Sequence, residues 1–138
     1  KYPEVQILNC SLNYAWKSIP TYYARMYEVK FLTGLIAGSM AKGENIGYET
    51  DYPIYGNIAN INAFALGAKM VNPRAQVYLE WSTLKDVDLG IAMDNVIKKG
   101  VTVVSGRDMV IPEDASRYFG LYHIEKEGPR NLAMPLWH

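Results

Sequence analysis

Short runs rich in β-branched and aromatic residues alternate with longer runs of helical spacing along most of this chain, and no other feature restricts its fold as much. The residues read as a strand at 46–49, a helix at 55–71, a strand at 76–81, a helix at 86–99, a strand at 101–105, a shorter helix at 112–117, and strands at 119–124 and 132–136. Strands joined by crossover helices run parallel and are covered on both faces. The alternation therefore predicts an α/β fold, a doubly wound parallel sheet with helices on both faces. Boundary residues agree: Asn72-Pro73 stops one helix, and Lys98-Lys99-Gly100 closes the next with charges and a glycine suited to a helix C-terminus. Ahead of this pattern lie a β-type run at 5–8 and an amphipathic helix at 22–42. In that helix Tyr27, Phe31 and Leu35, with Leu32, Ile36 and Met40 beside them, form the row expected to face the core. Gly34 and Gly38 share one face, which lets the helix lie close on a sheet, and Gly43 supplies the positive φ that ends it.

A chain of 138 residues with 49% apolar content supports one core-forming domain. Lysine plus arginine equals aspartate plus glutamate at 14 each, so no excess positive field draws the chain to phosphate backbones, and nucleic acid is not expected as its main partner. The single Cys10 excludes an internal disulfide framework and lies in an apolar run, where a buried, inert thiol is expected rather than a reactive one. "FLTGLIAGSMA", bounded by Lys30 and Lys42, falls short of the ~20 residues a bilayer crossing requires, so it reads as a core helix. Neither G-x-x-x-x-G-K-[ST] nor G-x-G-x-x-G occurs, and the serine of "VVSGRD" lacks a nucleophile elbow. His123 and Glu125, spaced i,i+2, have no dense ligand cluster around them. Neither enzymatic chemistry, a metal nor a cofactor is expected.

In an open parallel sheet the loops after the strands gather at one rim, where ligands bind. Those loops are "TDYPI", "STLK", "GRDMVIP", "EKEGPR" and the end at Trp137-His138. They would bring together Asp51, Tyr52, Arg107, Asp108, His123, Glu125 and Trp137, with Trp81 closing a strand at the same rim. Flat aromatics mixed with a few charged groups suit a small polar planar or cyclic solute. Plainer roles compete: Asp51 and Asp108 as caps or Asx turns, Trp81 as a side chain buried under helices, and Tyr22-Tyr23 as core and hinge packing.

Three long stretches, "TYYARMYEVKFLTGLIAGSMAK", "NIGYETDYPIYGNIANINAFALGAKMVNPRAQVYLEW" and "DLGIAMDNVIKKGVTVVSG", resemble in order and spacing the basic membrane protein family of substrate-binding lipoproteins that serve ABC importers. The resemblance implies one lobe of a type I periplasmic-binding protein, in which two α/β lobes hold a purine nucleoside, nucleobase or related solute between them. On that plan residues 1–22 end the first lobe and cross the hinge, and 23–138 form the second lobe of a longer chain. A chain opening on Lys1 and stopping at Trp137-His138 straight after an apolar stretch is expected of such a segment. The partners implied are a small-molecule solute and an ABC permease, with an extracytoplasmic location and a lipid anchor outside this segment. In an isolated lobe the run at 5–8 is expected either to be poorly ordered or to pair with a second copy in a dimer or exchanged-strand contact. A ligand-sensing domain of a regulator or receptor with the same fold is the alternative. The family's base-stacking aromatic falls at Leu84, three residues after Trp81, its ribose-binding acid has only Glu125 nearby, and Trp137-His138 stands where a lysine is usual. Those departures favour a nucleobase-like or other small heterocycle over a nucleoside.

Overall fold

The computed structural model of the chain describes residues 4–10, 19–50, 52–82, 94–106 and 120–133. Among these the order is β1 (Asn9–Cys10), β2 (Thr21–Tyr22), α1 (Met26–Met40), β3 (Asn45–Thr50), α2 (Tyr55–Val71), β4 (Gln76–Trp81), β5 (Val103–Ser105), β6 (Leu121–Glu125) and β7 (Gly128–Ala133), with a helical turn at 94–97. α2 and β4 occupy the spans read from the sequence. α2 stops where Asn72 becomes extended ahead of Pro73, and the cap N–H of Asn72 still donates to Ala68 O at 2.9 Å. Gly43 and Gly100 take the positive φ values that their turns require, 135° and 72°. The expected helix at 112–117 and most of that at 86–99 lie outside the described residues.

The main sheet has the order β4-β3-β5-β6-β7. β3 pairs parallel with β4 from Asn45↔Gln76 to Thr50↔Trp81, and parallel with β5 through Gly47↔Val104 and Tyr48↔Ser105. The α/β class holds, but the sheet is not parallel throughout. β6 runs antiparallel to β5 (Val103↔His123, Ser105↔Leu121), and β7 runs antiparallel to β6. "EKEGPR", expected as a loop at the ligand rim, is instead the tight hairpin between β6 and β7, with Glu125 opposite Gly128. Among the described residues β7 spans Gly128–Ala133, so it begins four residues ahead of the strand expected at 132–136, of which residues 134–136 lie outside the described ones.

Side chains alternate across the sheet and build a core on each face. Ile46, Tyr48, Val103 and Leu121 meet Ala37, Phe64 and Ala68 of the two helices, and the Tyr48 and Phe64 rings lie edge to face at 5.0 Å. On the opposite face Val104, Tyr78 and Ile124 meet Val96, Val101 and Ile97. Gly47 admits Val96 there, since a Cβ at that position would overlap the valine side chain.

α1 turns a different face inward from the one its large apolar residues mark. Its buried residues are Lys30, Thr33, Gly34, Ala37 and Gly38, whereas Leu32, Ile36 and Met40 are exposed. The reason is the partner. Gly34 and Gly38 lie against the backbone of α2 at Phe64 and Ala68, and Gly67 of α2 lies against Phe31 O, so the helices touch backbone to backbone. The expected close approach of these glycines to a sheet is therefore a helix–helix seam. Outside the seam Tyr27, Phe31, Leu32, Ala63 and Leu66 line an open apolar groove of about 480 Å³.

The N-terminal segment departs from expectation twice. No strand forms at 5–8, where Val5, Ile7 and Leu8 are exposed; the pairing falls at β1, parallel to β2, in a separate two-stranded sheet. Cys10, expected to be buried, is exposed because it ends β1 outside both cores. Among the described residues no helix is long and apolar enough to cross a membrane.

Candidate functional site

β3, β4 and β5 end at one rim, at Thr50, Trp81 and Ser105. Both helices precede or follow β3 and run against it, so both N-termini reach this rim. The turn from β3 into α2 is held by its own backbone. Tyr52 O accepts from the N–H of Ile54 at 2.7 Å, across Pro53, and from Asn57 Nδ2 at 2.8 Å, while Ile54 O accepts the first helical bond from Ile58. No side chain caps either helix at Arg25 or Ile54. Tyr52 stands exposed on this turn. Trp81 is half-buried at the end of β4, and the next residue ties that end to β3: Ser82 donates its N–H and its hydroxyl to Thr50 O at 2.9 and 3.0 Å.

Beside this turn Tyr23, Arg25, Tyr27, Tyr55, Gly56 and Ala59 enclose a pocket of about 280 Å³. The hydroxyl of Tyr23 rests over Gly56, 2.6 Å from where a Cβ would stand, so the glycine makes room for it. Three phenol rings and one guanidinium around a small cavity can stack a flat solute and hydrogen-bond its edge. Arg25 also reaches Glu28, at 3.3 Å on the surface, a contact of little energetic weight.

The site residues expected from sequence separate into groups. Tyr52 and Trp81 stand at the rim; Asp51, Arg107, Asp108 and Trp137 lie outside the described residues. His123 and Glu125 do not join them, because β6 enters the sheet beside Ser105 and runs away from the rim. Glu125 lies level with Val101, four residues of strand and about 13 Å from the rim. There its carboxylate meets His123 Nδ1 and Arg130 Nη1, each at 3.4 Å, a polar cluster of the β6–β7 hairpin. No group of three or more metal-ligating side chains occurs among the described residues.

Arg25 and Tyr55 are not among the site residues expected from sequence, and Tyr23 is expected only in packing. The available signal was position: two helix starts that reach one rim each carry tyrosines within a turn. Lys30, read as a charge bounding an apolar run, is 1% exposed. Its signal was membership of the row Lys30, Thr33, Gly34, Ala37, Gly38, whose small residues mark the face that packs.

A parallel-centred α/β sheet with an aromatic pocket at its carboxyl rim has the form of a small-solute binder. The family described as Bmp, ABC transporter substrate-binding protein PnrA-like, matches residues 3–112, and the chain belongs to that family. It is 30% identical over 110 residues to a purine-binding protein of Brucella abortus, covering 76% of this chain and 31% of that protein. It is also 32% identical over 80 residues to an ABC transporter glucose-binding protein of Haloferax volcanii, covering 58% and 20%. The chain thus spans less than a third of the length of these relatives. A solved ABC transporter solute-binding protein from Conexibacter woesei shares the fold at a TM-score of 0.55 and 19% identity, covering 75% of this chain and 37% of that one. The family is one of solute-binding proteins, not enzymes.

Proposed function

We propose that the chain forms one wall of the solute cleft of an ABC importer's binding protein and takes a small flat heterocycle of the purine nucleobase class. The observation that carries this reading is the pocket of Tyr23, Tyr27, Tyr55 and Arg25 at the carboxyl rim. Flat rings stack on phenol faces and guanidinium planes, and the ring edge is met by hydroxyls. Of the two named relatives, the purine binder matches the longer stretch of this chain. Asp51 follows β3 directly, and Arg107 and Asp108 follow Gly106 in sequence; with Trp81 and Tyr52 they complete the proposed contacts, and Trp137 is a further one. A second lobe supplies the opposite wall, and its closure over solute is the state a permease recognises outside the cytoplasm. The exposed Val5, Ile7 and Leu8 are covered by that lobe or, in an isolated piece, by a second copy.

Calorimetric titration of the full-length protein with adenine, guanosine and glucose tests the reading. Adenine is expected to bind, with Tyr55→Ala, Trp81→Ala and Asp51→Ala each weakening it at least about tenfold, and Glu125→Gln leaving it unchanged. Binding of glucose alone, or rim variants that bind adenine as the wild type does, would overturn it.

A further inference from the structure

Lys30 is one of the largest fully buried side chains, although a methionine would fill the same space without the penalty of removing an ammonium from water. Its surroundings show what the charge does. Nζ donates to Ser105 Oγ at 2.8 Å and lies 5.0 Å from the centroid of the Tyr48 ring, where the ring face attracts a cation. Ser105 closes β5 at the rim and is the register partner of both Tyr48 in β3 and Leu121 in β6. Its hydroxyl also lies 3.4 Å from Gly106 O, and the Gly106 N–H donates to Gly120 O at 2.6 Å. A chain of polar contacts therefore runs from the buried face of α1, through Ser105, to the backbone at which β5 leaves the sheet. Val103 and Val104 are held by apolar packing; Ser105, besides its ladder pairing with Tyr48 and Leu121, is the residue of β5 whose side chain is held by this charge. α1 also carries Tyr27 of the rim pocket, so one helix sets both the pocket and the end of β5.

We propose that Lys30 is a positioning residue for the solute site: through Ser105 it holds the rim end of β5 against α1, the helix that carries Tyr27 of the pocket. This rests on the cleft reading above for its consequence on binding, but not for its consequence on β5.

The test uses the full-length protein and the variants Lys30→Met, Ser105→Ala and Ser105→Thr. Amide hydrogen exchange is followed at Gly106, with Ile46 and Phe64 as core references. Lys30→Met and Ser105→Ala should each speed exchange at Gly106 at least about tenfold while the references stay unchanged, and Ser105→Thr, which keeps the hydroxyl, should match the wild type. Adenine affinity should fall at least about tenfold in the first two, with the double variant no worse than either single one, because both break the same contact. Unchanged exchange at Gly106 overturns the proposal, as does a rise shared equally with Ile46 and Phe64, which would mark general loosening. Should Lys30→Met fail to fold, Ser105→Ala decides by the same readings. If exchange responds but adenine affinity does not, the link to binding is overturned. A wild type that binds none of adenine, guanosine and glucose instead refutes the cleft reading, and Gly106 exchange still decides what Lys30 holds.

Discussion

Replacing Gly34 by alanine sets two principles against each other. In a helix interior alanine is favoured over glycine by about 0.5–1 kcal/mol, so propensity alone makes Gly34→Ala stabilising. At this position the new methyl would overlap Phe64 O, with Phe64 C at 2.9 Å and Cα at 3.0 Å. All three atoms belong to the backbone of α2, so no rotamer change clears the space and the helices must part. Overpacking of that kind typically costs about 1–3 kcal/mol. The upper part of that range applies here, because Gly38 and Gly67 close the same seam against Ala68 and Phe31. Subtracting the propensity gain leaves a destabilisation of about 1–2 kcal/mol. Urea unfolding of the full-length protein, followed by far-UV circular dichroism, should show a lower midpoint for Gly34→Ala at unchanged slope. A midpoint equal to or above the wild type would refute backbone contact between α1 and α2.

Two further substitutions separate core from surface and site from fold. Phe64→Ala, at a fully buried position against Tyr48, should lower stability by about 3–5 kcal/mol in the same assay, whereas Phe31→Ala, on the partly open groove, should cost well under half of that. Gly56→Ala meets only the tip of the Tyr23 side chain, which can swing aside; calorimetry should show weaker adenine binding with an unfolding midpoint within about 0.5 kcal/mol of wild type.

What could be read from sequence was whatever local chemistry decides. Pro53 before α2 and Asn72-Pro73 after it fix that helix from within its own segment, and the β-rich composition of 76–81 between turn residues does the same for β4. Faces and directions depend on partners distant in sequence. The row of large apolar residues on α1 obeys the usual periodicity, yet the close seam with α2 is made at Gly34, Gly38 and Gly67, which leaves Phe31 and Leu35 half-buried and Leu32, Ile36 and Met40 exposed. A helix expected ahead of β6 implies a parallel course for that strand. The short link after it signals only that β7 runs antiparallel to β6, since a connection of about a dozen residues or more is needed to return a parallel strand; the link before it is long enough for either course, so no local signal marks the reversal of β6 against β5. That reversal also removes His123 and Glu125 from the rim, while Tyr23, Arg25 and Tyr55 join it because two helices begin side by side. Lys30 lies at the limit of what pattern reveals: its charge reads as solvated, and only the small residues on its row place it inside.

The central claim, that this chain contributes the carboxyl-rim site for a flat heterocycle, is tested most directly by native mass spectrometry of the full-length protein as purified, followed by fragmentation of any retained small molecule. The account predicts a single equivalent of a purine-class heterocycle that is lost from Tyr55→Ala and retained by Glu125→Gln. A retained sugar, or a heterocycle held equally by both variants, would contradict it.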